Sequence, residues 1–295
     1  MNRLEEALKS TSKSVNDFLV AHIPRSDRSD NRLFDAMRYS TLVGGKRLRP
    51  FLVINCASLF DVPIEWAMPN AAAIEMVHTY SLIHDDLPSM DDDDLRRGQL
   101  TCHKEFDEAT AILAGDALLT YAFQLVADES GHPDDSVRVK IVHELALSAG
   151  GLGMVGGQMM DLMAESDDSN IQNITLLQQR KTGALFRFSC EVGAILGQRI
   201  DSERRALGYY AECIGLAFQI SDDLLDLEGT EATMGKAVNK DAAAGKVTFV
   251  DLLGIEGARK KASELIEEAS SALQPFGKRA DLLRDVARYI VTRKN

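Results

Sequence analysis

The chain has 295 residues, enough for one large domain or two smaller ones, and its 45% apolar and 26% charged content is ordinary for a water-soluble globular fold. Its formal net charge of −12 argues against a nucleic-acid binder, whose footprint would be basic. An acidic chain that handles an anionic ligand must recruit metal cations or gather its own Lys and Arg locally.

Nearly every segment reads with a helical period. Residues 1–13 are charged and polar, so no secretory signal is expected. Leu4, Leu8, Val15, Phe18 and Leu19 sketch a first amphipathic helix that ends near Pro24, and Leu33, Met37 and Val43 sketch a second that Gly44-Gly45 should stop. Asn70 is a fair N-cap for a helix over residues 71–87, and Asp107 for one over residues 108–127. Thr175 with Gln178 has the capping-box pattern and predicts a helix over residues 175–196. Asp201 or Ser202 opens the next, and the last two are expected at about 257–273 and 280–292. Alternating strands, hairpin dipeptides, repeats and Pro/Gly/Ser linkers are not found, and no run of about 18 apolar residues would span a bilayer. The irregular stretches 95–106 and 228–246 carry glycines and cations and read as functional loops. Cys56, Cys102, Cys190 and Cys213 lie scattered within helical patterns without a CxxC spacing, which predicts buried reduced thiols. The expectation is one all-α domain over residues 1–295 in a soluble, cytoplasmic protein.

Residues 85–94 hold six aspartates, and Asp222, Asp223 and Asp226 echo them downstream. Each group follows an apolar helical run. Asp85 and Asp91 are six apart, about 120° around an ideal helix, but Pro88 between them permits a bulge or an early end that brings both carboxylates together. A solvated acidic loop is the plain alternative. Asp222 and Asp226 are i, i+4 neighbours, where like charges destabilise a helix unless a cation binds, and Gln219 lies near the same face. Paired carboxylate clusters suit a hard cation such as Mg²⁺, which commonly completes its shell with water and substrate phosphates.

The cations form their own pattern. GGKRLRP at 44–50 offers Lys46 and Arg49, three residues apart, at a helix break; Arg96 and Arg97 follow the aspartates directly. Lys181 sits within the small and apolar run KTGALF, where a surface-solubility role fits badly, and Lys236 and Lys246 each follow a glycine. His78, among apolar residues two turns before Asp85, reads by itself as a satisfied core histidine before it reads as a ligand. Gly151, Gly153 and Gly156 match GxGxxG, but no strand precedes them, so close helix packing explains them better than a dinucleotide.

On GGKRLRP at 44–50, residues 78–98 with DDLPSMDDDDLRRG, KTGALF at 181–186, residues 215–226 and residues 235–248, the chain resembles the short-chain trans-polyprenyl diphosphate synthases of the bacterial farnesyl type. The resemblance covers essentially the whole chain. It implies an all-α, single-domain helical bundle around a deep central cavity, usually homodimeric, with isopentenyl diphosphate and allylic diphosphates as substrates. By resemblance, Asp85 and Asp91 hold two Mg²⁺ ions and Asp222 a third. Arg96, Lys181, Thr182, Gln219, Lys236 and Lys246 contact the allylic diphosphate, with Thr182 also helping the nascent cation. Lys46, Arg49, His78 and Arg97 form the isopentenyl diphosphate site. Tyr80, five residues before Asp85, is the implied floor that limits growth at fifteen carbons. Thr248-Phe249-Val250 departs from the family's usual Thr-Tyr-Pro. A geranylgeranyl diphosphate synthase is the nearest rival. A class I terpene cyclase would not need the Lys46, Arg49 and His78 group, and a catalytically silent partner subunit would not need both aspartate clusters.

Overall fold

The computed structural model describes residues 3–164, 170–228 and 247–293. The fold is all-α, as expected. Its elements are α1 (Arg3–His22), α2 (Asn31–Leu42), α3 (Leu48–Ser58), α4 (Ile64–Asp85), a hairpin of β1 (Leu95–Arg96) and β2 (Gln99–Leu100), α5 (Cys102–Glu105), α6 (Glu108–Ala127), α7 (Asp135–Ala149), α8 (Met154–Leu162), α9 (Ile171–Gln178), α10 (Ala184–Leu196), α11 (Asp201–Glu228), α12 (Phe249–Ala272) and α13 (Asp281–Thr292). They group into two compact units, residues 1–54 with 63–142 and residues 55–62 with 143–295.

In the first unit α4 is the central helix, packed by α1, α2 and α6. Its residues 71–77 are all buried, the pattern of a helix surrounded by protein. Its start differs from the expectation at Asn70. The helix begins seven residues before position 71 and runs through Pro69, which sits near enough to the N-terminus to forfeit only one ladder bond. Asn70 is therefore interior, and its Nδ2 donates to the Trp66 carbonyl at 2.8 Å. Asp107 does cap α6, accepting from the Thr110 N–H at 2.7 Å. By length and composition α6 is apolar enough to cross a membrane, with a mean hydropathy of 1.4. Asp116 interrupts it, so its sequence holds no unbroken apolar run of that length. One side, including Ala111, Ala114, Leu118 and Ala122, is buried in this unit. The hairpin was also missed. Arg97 (φ 53°) and Gly98 (φ 77°) both take the left-handed backbone that a two-residue hairpin turn of the primed type requires.

In the second unit α10 and α12 pack on α11. The capping box expected at Thr175 is absent: Asn170 caps α9, accepting from the Gln172 and Asn173 N–H groups at 3.0 Å each, and Thr175 is interior. α9 passes into α10 through a π-helical turn, Gln179–Gly183. The helix expected from residue 257 starts at Phe249, behind a true capping box in which Thr248 and Asp251 bond reciprocally, and it kinks at Gly254 (φ 69°). The four cysteines are free and buried.

Candidate active site

α4 ends at Asp85, and the chain then folds back on itself. The Asp91 N–H donates to the Asp85 carbonyl at 2.9 Å, and the Asp92 and Asp93 N–H groups donate to Leu87 and Asp86 at 3.1 and 3.2 Å. Pro88, which has no N–H to satisfy, sits inside this turn. Asp85 and Asp91 thus become neighbours despite their unfavourable helical spacing. Asp86 has a different job. Its carboxylate is buried and accepts from Arg96 Nε at 2.7 and 2.8 Å and from Arg96 Nη2 at 2.5 Å. Burial pulls the Arg96 guanidinium down, but the Asp86 carboxylate more than offsets that and holds it above its ordinary value. Nη1 is outside this fork.

The basic group assembles in the same unit. Arg97 Nη1 donates to the Gly44 carbonyl, and its guanidinium lies so close to Gly45 (φ 125°) that a Cβ there would sit 2.6 Å from Nη1. His78 is half-buried; burial, then Arg49, Arg97, Arg96 and Arg47 in that order, keep its imidazole well below the ordinary value. It is therefore neutral at pH 7 and faces a concentrated positive field. Arg47 turns inward at φ 47°, onto Asn16, Glu75 and Thr41, while Lys46 beside it is exposed. Lys46 lines an open cavity of about 490 Å³ with Lys9 and Lys13. Tyr80, on α4, is buried and meets His84 edge-on, with ring centroids 5.7 Å apart. Burial and the nearby Asp85 push its hydroxyl up to about 12.

In the second unit Lys181 and Thr182 lie on the π-helical turn, a distortion that often marks functional positions. Lys181 Nζ donates to Asp161 Oδ2 at 2.7 Å, and Thr182 Oγ1 to Gln178 Oε1 at 3.4 Å. The turn is held against α8 at Gly157, where a Cβ would approach the Lys181 Cα to 2.6 Å. Asp222 accepts from Arg293 Nη2 at 2.6 Å. Gln219 turns to Asp223, its Nε2 donating at 3.1 Å, and Asp223 also accepts from the Phe249 N–H at 3.0 Å. Asp223 thereby ties α11 to the first residue of α12. Lys236 and Lys246 fall outside the described residues.

The structure thus gathers Arg49, His78 and Arg97, folds Asp85 toward Asp91, and pairs Lys181 and Asp222 with partners that the sequence reading did not name. Asp161 had a signal, a carboxylate three residues after Gln158 in the otherwise apolar helix α8. Arg293, between polar neighbours, had none. The donor set fits Mg²⁺: Asp85, Asp91 and Asp222 offer hard carboxylate oxygens, without thiol or thioether. Among the described residues no group of three or more His, Cys, Asp or Glu side chains is assembled to hold an ion.

A family model described as polyprenyl synthetase matches residues 30–285. The chain belongs to the polyprenyl synthetase family. It is an enzyme, a prenyltransferase. It is 42% identical over 299 residues to the farnesyl diphosphate synthase of Haemophilus influenzae, covering 100% of both chains. It is also 42% identical over 288 residues to a chloroplastic geranylgeranyl pyrophosphate synthase of Catharanthus roseus, covering 97% of this chain and 79% of that one. Among solved structures, an apo FPP/GFPP synthase from Zymomonas mobilis aligns with a TM-score of 0.90 at 45% identity, over 98% of this chain and 99% of that one.

Proposed function

We propose that this chain joins isopentenyl diphosphate head-to-tail to dimethylallyl and then geranyl diphosphate, giving (2E,6E)-farnesyl diphosphate and pyrophosphate, with Mg²⁺ required. The reading assigns residues 1–295 to one synthase domain built around a deep cavity. The observation that carries it is the first unit's pairing of a folded-back Asp85–Asp91 turn with the Arg49, His78 and Arg97 group. Such a pairing suits two diphosphates of different fate: one must leave, and the other must only be held.

Asp85, Asp91 and Asp222 are the residues that would hold Mg²⁺, three ions with substrate bound. Bound Mg²⁺ supplies the positive charge that steadies the departing diphosphate oxygens. Lys181, Arg96 through its Nη1, Thr182 and Gln219 contact the allylic diphosphate in this reading, together with Lys236 and Lys246. Thr182 also offers an oxygen to the carbocation. Lys46, Arg49, Arg97 and neutral His78 retain isopentenyl diphosphate, whose alkene attacks the allylic carbocation left when the C–O bond to the allylic diphosphate breaks. Pyrophosphate then takes the proton lost from the adduct. Water must be kept out until the new bond forms.

Tyr80 supports the fifteen-carbon limit. It lies five residues before Asp85 on one continuous helix, about 7.5 Å at 1.5 Å per residue. Replacing it with alanine is expected to shift products beyond fifteen carbons, read by mass spectrometry; an unchanged chain length would remove Tyr80 as the floor. The Catharanthus roseus relative keeps a geranylgeranyl reading as the second choice. A purified-protein assay with the two five-carbon diphosphates decides between them. The expected outcome is a fifteen-carbon product that disappears without Mg²⁺. A twenty-carbon product would favour the second reading, and no turnover would favour a silent subunit.

A cytoplasmic homodimer completes the proposal. Ile112 and Leu113 on α6, and Val155, Met159 and Met163 on or next to α8, are exposed apolar residues that a second copy would cover. Buried free thiols suit a reducing compartment.

A further inference from the structure

Arg293 lies one residue beyond α13 and reaches α11. Its Nη2 is 2.6 Å from Asp222 Oδ1 and 3.1 Å from the Phe218 carbonyl, and its guanidinium stands 3.6 Å above the Phe218 ring. Its side chain is 5% exposed, whereas that of Asp222 is 43% exposed. The pairing is thus a cation held from the protein side against a carboxylate that opens to solvent. It is not saturated. One nitrogen of the fork bonds the carboxylate, and the buried Nε has no hydrogen-bond partner. A bidentate arginine–carboxylate fork would be stronger and harder to exchange.

We propose that Arg293 is the resident counter-ion of Asp222: it competes with a divalent cation for the carboxylate, so that it sets how readily metal enters. This rests on the reading of Asp222 as a metal ligand. A guanidinium bonded to a carboxylate neutralises part of the charge a metal would use, and a guanidinium and a divalent ion at one carboxylate repel each other. Asp222, Asp223 and Asp226 crowd like charge within two helical turns, and the neighbouring Arg293 cation offsets it. The stacking on Phe218 keeps that cation in place without a second carboxylate.

The test is Mn²⁺ binding to the full chain in the presence of inorganic pyrophosphate, read as free Mn²⁺ by electron paramagnetic resonance, with no turnover involved. R293Q is expected to bind Mn²⁺ at about tenfold lower concentration than the parent, and R293K to fall between them. An unchanged or weaker affinity in both variants would overturn the proposal and leave Arg293 as packing or as a diphosphate contact. A thermal melt identifies folded variants; should R293Q not fold, the direction of the R293K shift decides. D222N separates the two levels. If it weakens Mn²⁺ binding and removes the difference between R293Q and the parent, the competition is at Asp222. If D222N leaves Mn²⁺ binding untouched, the metal-ligand reading of Asp222 fails, and this inference with it.

Discussion

Replacing Arg47 with methionine is expected to lower the stability of the fold by about 3–5 kcal/mol, the cost of leaving a buried charge without its partner. Arg47 and Glu75 have side chains 1% and 4% exposed and meet at 2.5 Å. The other guanidinium nitrogens donate to Asn16 at 3.0 Å and to the Thr41 carbonyl at 2.5 Å, so one side chain joins α1, α2 and α4. Methionine fills similar volume but supplies no donor, and Glu75 then stays buried without the guanidinium that bonded it. Urea unfolding would report this as a lower midpoint with an unchanged slope. Changing Glu75 to leucine in the same chain should recover most of the loss, because a well-packed apolar pair can replace a buried ion pair. A loss below about 1 kcal/mol in the single variant would mean that water reaches Glu75.

The second large effect is catalytic. Asp85→Asn is expected to reduce kcat by about 10²- to 10³-fold, the scale on which removal of one well-placed electrostatic group acts, while the urea midpoint stays near that of the parent. Asparagine keeps the shape and the backbone turn to Asp91 but loses the charge that would hold a divalent ion. Asp86→Asn should reverse the emphasis. It leaves Arg96 half-buried without its carboxylate, so the midpoint falls, and kcat falls only as far as the turn and the Arg96 side chain lose their place. Steady-state kinetics and urea curves on both variants measure the contrast; equal loss of kcat with equal loss of stability would refute the division between them.

Much of this architecture was legible from periodicity because most helices carry a recognisable apolar pattern and some carry a side-chain cap. Asp107 punctuates the chain by bonding its own first turn, and Gly44-Gly45 by following the end of α2 with positive φ. The errors fell where a distant partner overrides a local rule. Asn70 looked like a cap, yet burial against neighbouring helices carries α4 through Pro69 and past it despite one missing bond. Thr175 looked like a cap, but Asn170 lies five residues earlier and wins the first turn. At the site, residue types and spacing pointed to the chemistry, and the resemblance supplied the roles. What one dimension could not convey was pairing: Arg96 with Asp86, Lys181 with Asp161, Arg293 with Asp222. Each joins residues at least 10 positions apart, and sequence spacing says nothing about meetings at that range.

The doublets Asp85-Asp86 and Asp222-Asp223 share one grammar. In both, the leading residue stays more accessible while the trailing one is buried and knits helices or turns together. Substitutions at the leading positions would therefore strip the chemistry and leave the scaffold intact. An inert but sturdy descendant lies only two codons away.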